Sequence, residues 1–207
     1  MDQIEKTLND IELELKSDPA NPSLWNERGV GYHLIGEYDI AIGSFQEALR
    51  LEPQYPRAHY NIGNTYLETD QPGQAIHHFL LALEQKPDYI PAINNLADAW
   101  ERTEHTDRAH ELFLYLSEVD SKNPLSHFNL GNFLYRREKY VEAEEFYRFS
   151  LKLDPTFTDA YYTLALCLHK TASNRDALQQ VLKGLEQDPG NEVLLELKSE
   201  LKKLHES

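Results

Sequence analysis

The chain has 207 residues, 41% of them apolar and 27% charged, and its 20 basic against 35 acidic side chains give a formal net charge of −15. So acidic a chain is repelled by DNA, RNA and anionic membrane surfaces, which points away from nucleic-acid and membrane partners. The single cysteine, Cys167, excludes a disulfide framework and a thiolate metal cluster.

Residues 2–17 read as a helix, because Ile4, Leu8, Ile11 and Leu15 fall on one stripe at helical spacing. Charges recur every few positions from Met1 to Lys16, so this segment lacks the apolar core of a secretory signal. No apolar run approaches the ~20 residues of a membrane span. Cytoplasmic residence is the expectation. Asn21 and Pro22 then supply an N-cap and a first helical residue.

From Pro22 to Asn191 the sequence repeats five times at a spacing of 34 residues, without insertion or deletion. Trp25, Gly29, Tyr32, Ala41, Phe45, Ala48 and Pro53 return as His59, Gly63, Tyr66, Ala75, Phe79, Ala82 and Pro87. The third copy keeps Ile93, Ala97, Trp100, Ala109 and Phe113, the fourth His127, Gly131, Ala143 and Tyr147, the fifth Tyr161, Ala165, Ala177 and Val181. A fixed period of this length means stacked units, each burying its apolar face on its neighbours.

The units run 22–55, 56–89, 90–123, 124–157 and 158–191, and each is expected to hold a helix A and a helix B. In the first, A covers about 23–35 and B about 38–51, joined through Gly36. Later turns fall at Asp70-Gln71-Pro72, His105-Thr106, Glu138-Lys139 and Ser173-Asn174. Beyond Asn191 the frame fails. Leu194, Leu197, Leu201 and Leu204 mark a C-terminal capping helix over 192–205. The alternative use of that stripe is pairing with a second copy, although about two heptads fall short of a credible coiled coil.

This pattern of aromatic, Gly or Ala, aromatic, Ala, aromatic and Pro resembles the tetratricopeptide repeat. The resemblance implies an all-α, right-handed superhelical solenoid of antiparallel helix pairs, a single domain over 1–207 with terminal helices at 2–17 and 192–205. It also implies protein–protein interaction. Two positions depart from the pattern: Arg28 stands in place of Leu, and Ser121 in place of Pro.

Catalytic chemistry finds no support. No His pair has the spacing of a zinc site, and Cys167 lacks a base within reach on its helix. Phosphate-binding and nucleophile-elbow glycine motifs are absent. Neither cofactor nor metal is expected.

The informative surface is the other side of helix A. Counting from the first residue of each unit, positions 4, 7, 8 and 11 share the packing face, and positions 2, 5, 6, 9, 12 and 13 point away. Position 6 reads Glu27, Asn61, Asn95, Asn129 and Thr163, and position 9 reads Val30, Asn64, Asp98, Asn132 and Leu166. An amide offers both donors and acceptors, so such rows match the N–H and C=O of an extended chain. Tyr60, Asn94 and Phe128 at position 5, with Tyr135 at position 12, add anchors for side chains. Arg102 and Arg136 add positive charge, balanced by Asp98 and Glu101.

The rows resemble those of tetratricopeptide proteins that hold extended peptides, which makes a peptide or protein segment the expected partner. The same amides could instead bond neighbouring repeats. Self-assembly into homo-oligomers is the alternative function. Capture of a C-terminal carboxylate fits poorly, since Tyr60 stands where that mode needs Lys beside Asn64.

Overall fold

A computed structural model of the chain describes residues 2–205, and the side chains of all of these except 2, 3, 5, 204 and 205. Leu204, part of the C-terminal apolar stripe, therefore lies outside the described side chains. The described residues form helices and no strand. The first is α1 (Asp2–Ser17). Helices A are α2 (Pro22–Leu34), α4 (Pro56–Glu68), α6 (Ile90–Arg102), α8 (Pro124–Arg136) and α10 (Thr158–Lys170). Helices B are α3 (Tyr38–Leu51), α5 (Pro72–Gln85), α7 (Thr106–Val119), α9 (Tyr140–Leu153) and α11 (Asn174–Gln187), and α12 (Glu192–His205) ends the series.

Starts of like helices differ by 34 residues throughout, so the sequence period is a backbone period. Local chemistry fixes the boundaries. Asn21 Oδ1 accepts from the Ser23 and Leu24 amides at 3.1 and 3.4 Å, and Asn123 Oδ1 from Leu125 at 3.0 Å. Proline occupies the first turn of α2, α4, α5, α6 and α8, where a missing N–H costs nothing. Every A helix stops in the same way. One residue takes positive φ: Gly36 at 82°, Asp70 at 54°, Glu104 at 63°, Glu138 at 61° and Ala172 at 61°. The next amide then reaches back to the helix, as Gln71 does to the Tyr66 carbonyl at 2.7 Å and Ser173 to Leu168 at 2.8 Å. These bonds satisfy carbonyls that the helix end leaves open. Only the first of the five turns uses glycine.

The chain divides into two compact units, residues 1–109 and 110–207. In the first, α2 packs on α3 and α4 on α5 through a glycine under an aromatic ring. A Cβ on Gly29 would lie 2.4 Å from Phe45 Cε1, and one on Gly63 2.5 Å from Phe79 Cε1. Both rings are shut away from solvent. Helix α1 closes the exposed side of α2. Ile11, Leu15 and Leu24 cluster there with Trp25, and Leu8 lies so close to Gly31 that a Cβ would meet Leu8 Cδ2 at 2.5 Å.

The departure at Arg28 belongs to this contact. Its Nε bonds Glu12 Oε1 of α1 at 2.7 Å, and Nη1 donates to the buried Ser44 Oγ of α3 at 2.6 Å. The guanidinium also lies 4.7 Å from the Tyr32 ring centroid. A cation at an apolar repeat position thus ties the first helix to the array.

In the second unit Gly131 repeats the arrangement, a Cβ there falling 2.7 Å from Tyr147 Cε1. The next pair substitutes Ala165 and Val181, a methyl facing a shorter side chain, both fully buried. Helix α12 lays Leu194, Leu197 and Leu201 inward, 0%, 5% and 1% exposed. Leu194 sits over Gly184 of α11, where a Cβ would be 2.8 Å away. These three leucines of the stripe are thus buried within the chain. The departure at Ser121 is also answered locally: the buried His127 donates from Nε2 to the Ser121 carbonyl at 2.9 Å.

Candidate functional site

In the first unit α2, α4 and α6 lie side by side, and the amides of position 6 meet the preceding A helix. Asn61 Nδ2 donates to Asn26 Oδ1 at 2.8 Å, and Asn95 Nδ2 to Asn64 Oδ1 at 2.7 Å. Asn94 Nδ2 donates to Asn95 Oδ1 at 3.1 Å. The amides are therefore bonded repeat to repeat, through partners at different positions, Asn26 at position 5 and Asn64 at position 9. Asn26 is 1% exposed and its Nδ2 has no hydrogen-bond partner. Asn61, Asn64, Asn94 and Asn95 are all half-buried.

A small pit of about 70 Å³ lies between α2 and α4, lined by Val30, His33, Phe45, Asn61 and Asn64. Three of its five lining residues are polar, and this volume suits ordered water or a small polar group. His33 Nδ1 pairs with Thr65 Oγ1 at 3.0 Å beside it. Asp98 and Arg102 pair with each other along α6 at 2.9 Å, and Arg102 Nη1 adds a long bond of 3.4 Å to the Leu67 carbonyl. Tyr60 turns sideways rather than standing free. Its ring centroid is 6.1 Å from Phe79 and 5.1 Å from Tyr89. Burial first, then Tyr60, raises the Tyr89 phenol above its usual range.

In the second unit Asn132 Oδ1 accepts from Tyr147 Oη at 2.9 Å, so this amide braces helix B of its own repeat. Asn129 is half-buried on the same helix. Phe128 packs 4.7 Å from Phe157 and 5.8 Å from Tyr147, and Tyr135 5.3 Å from Tyr140. Arg136 is exposed, and its charge acts on Tyr147. Burial and then Cys167 push the Tyr147 phenol well up, which keeps its proton available for Asn132. The aromatic residues of position 5 thus serve packing between helices as well as facing solvent.

Asn26 and His33 were not legible as members of this surface. Asn26 shares position 5 with Asn94 but also with Tyr60 and Phe128, and position 12 reads His33, Leu67, Glu101, Tyr135 and His169, so neither position carries one chemistry through the repeats.

Several other titratable groups are bonded within the fold. His59 and His78 face each other with Nδ1 atoms 3.2 Å apart, one ring donating to the other. Burial, then His59 and His77, hold His78 down to about 4, and burial with His77 lowers His59. Cys167 is buried, its Sγ 3.0 Å from the Tyr140 carbonyl, and burial followed by Glu144 pushes the thiol up to about 11. His169 turns to Asn174 Oδ1 at 2.7 Å. Among the described residues no three His, Cys, Asp or Glu are grouped to hold a metal, and no helix is long and apolar enough to cross a membrane.

Three family models match: TPR repeat over residues 31–70, and tetratricopeptide repeat over 56–89 and over 124–157. No curated protein matches the chain. Among solved structures, the type IV pilus biogenesis factor PilW superimposes with a TM-score of 0.83 at 18% identity, over 94% of this chain and 90% of PilW. The PilF protein of Pseudomonas aeruginosa gives 0.76 at 22% identity, covering 91% and 86%. YrrB, described as a TPR protein with an unusual peptide-binding site, gives 0.65 at 18% identity, covering 91% and 97%. The chain carries tetratricopeptide repeats, and its fold is the all-α solenoid of helix pairs of these structures.

Proposed function

We propose that this tetratricopeptide protein is a non-catalytic scaffold that binds an extended segment of a partner protein on the free faces of its A helices. The observation behind the reading is the state of the amides. Each Asn side chain can make about four hydrogen bonds, and the interhelix pairs Asn61–Asn26 and Asn95–Asn64 each use one donor and one acceptor. Half-buried side chains held by one such bond are pre-oriented, and a peptide backbone would meet them without paying to order them. The pit between Asn61 and Asn64 gives the same surface relief. YrrB, alike in fold, is described as having a peptide-binding site.

The test is binding of peptides, selected from a displayed library on the full chain, to an Asn64→Ala variant. A loss of about 1–3 kcal/mol is expected, from backbone groups left unpaired. An unchanged dissociation constant in a variant that melts like the parent removes the reading.

A second reading, self-association, draws on exposed apolar side chains near the C-terminal end, Leu182, Val193 and Leu195 at 41%, 50% and 43%. Sedimentation of a monomer at high concentration disposes of it.

A further inference from the structure

We infer that a pocket walled by α1, α2 and α4 receives a large aliphatic side chain of the partner segment, beside an acidic partner residue held by Arg57. This deepens the peptide-binding reading and rests on it. The pocket encloses about 300 Å³, at the small end of the ~300–1,000 Å³ range of ligand sites and ample for one large side chain. Helix α1 contributes Ile4, Leu8 and Ile11, and α2 contributes Val30 and Leu34. The polar lining includes Glu27 and Arg57.

The pocket exists because α1 stands as a wall. Gly31 lets Leu8 rest on the α2 backbone, and the Glu12–Arg28 bond fixes the helix there. Leu34 is the anomaly: it is 62% exposed while lining an apolar hollow. A side chain inserted against it would remove that surface from water.

Two further features choose the occupant. Val30 lines both this pocket and the pit of Asn61 and Asn64. A backbone lying on the amides therefore passes directly to the pocket, and one of its side chains is the natural filler. Neither charge at the pocket has an ion partner among the described residues, but Glu27 accepts from Ser23 Oγ at 3.2 Å while Arg57 stands exposed. An arriving carboxylate supplies what Arg57 lacks.

The experiment selects short random displayed peptides on the full chain. The enriched sequences are then measured by calorimetry on the parent and on Leu34→Glu, Arg57→Glu and Asn64→Ala variants. Both pocket substitutions are at exposed side chains, and thermal melts by circular dichroism verify the fold. Enriched peptides are expected to share Leu, Ile, Met or Phe next to Asp or Glu. Affinity should fall at least about tenfold in Leu34→Glu, as for a central anchor. In Arg57→Glu it should fall about fivefold, and exchanging the peptide's acid for Lys should recover it.

Peptides weakened by Asn64→Ala but indifferent to both pocket variants overturn this inference and leave the peptide reading standing. Failure to enrich any peptide overturns both. A parent dimer that Leu34→Glu converts to a monomer shows that a second copy fills the pocket, and the partner inference falls.

Discussion

Gly63→Ala separates two opposed effects whose sizes can be worked from geometry. An isolated helix gains about 1 kcal/mol when an interior glycine becomes alanine. Here the new methyl would lie 2.5, 2.8 and 2.9 Å from Phe79 Cε1, Cδ1 and Cζ, all inside van der Waals contact. Phe79 is 0% exposed, so the ring can retreat only by pushing other core atoms. Overpacking of this kind costs about 1–3 kcal/mol, near the upper end for three simultaneous clashes. The net expectation is a loss of about 1–2 kcal/mol.

The fifth repeat supplies the control, because Ala165 and Val181 occupy the same two positions there. Phe79→Val alone leaves a cavity and costs about 2–3 kcal/mol. In the double variant the methyl enters that cavity, so the losses should be less than additive by about 1 kcal/mol or more. Urea unfolding followed by circular dichroism measures all three variants. A Gly63→Ala chain stabilised by the bare propensity gain, with an additive double variant, would falsify the claim that this glycine exists to seat the ring.

Three further outcomes follow from named contacts. Glu12→Gln removes the carboxylate charge and leaves the Arg28 guanidinium with a neutral acceptor. Both side chains are partly exposed, at 38% and 20%, so the loss should stay near ~0.5–1 kcal/mol. Amide exchange of residues 2–17 should accelerate while that of 38–51 does not, and uniform acceleration would count against a local tether. Ala172→Gly should stabilise by about 0.5–1 kcal/mol, since a left-handed Ala costs about 1–2 and glycine returns part of this as chain entropy. A lower urea midpoint would refute that accounting.

The third concerns acid. His78 is held down to about 4 and His59 is also lowered, so the unfolded chain takes up protons that the folded chain refuses. Stability should be complete above the unfolded value near 6.5 and decline as pH falls from there towards 4. A His78→Gln variant should show a flatter decline between pH 7 and 5, and an unaltered slope would refute the assignment.

What the sequence made legible was whatever repeats. Position 8 against position 24 is a rule stated in every repeat, and periodicity averages the noise away, while the Asn-Pro helix start at Pro22 and the turn at Gly36 are strong local signals of their own. The repeat frame also places the turns at or beside Asp70, Glu104, Glu138 and Ala172, but not the left-handed backbone they adopt. Their positive φ is imposed by the bond from the next amide back to the helix, a constraint that holds whichever residue is present. Composition at those sites therefore carries little of the signal that Gly36 does.

Polar contacts between helices were harder to see because they do not repeat. Asn61 and Asn95 occupy one position and look interchangeable, yet one reaches Asn26 and the other Asn64. Asn132 accepts from a tyrosine instead. A carboxamide finds a partner within about 3 Å, and which partner lies there depends on rotamers and on neighbours that differ between repeats. The same holds for Arg28: the exception was visible in the sequence, but its explanation lies in Glu12, on a helix outside the repeats. In an array built from near-copies, fold resides in the agreement between repeats and specificity in the disagreement. That argues for testing the proposed pocket at Val30 and Leu34 of the first repeat and Arg57 of the second, beside a helix that lies outside the repeats.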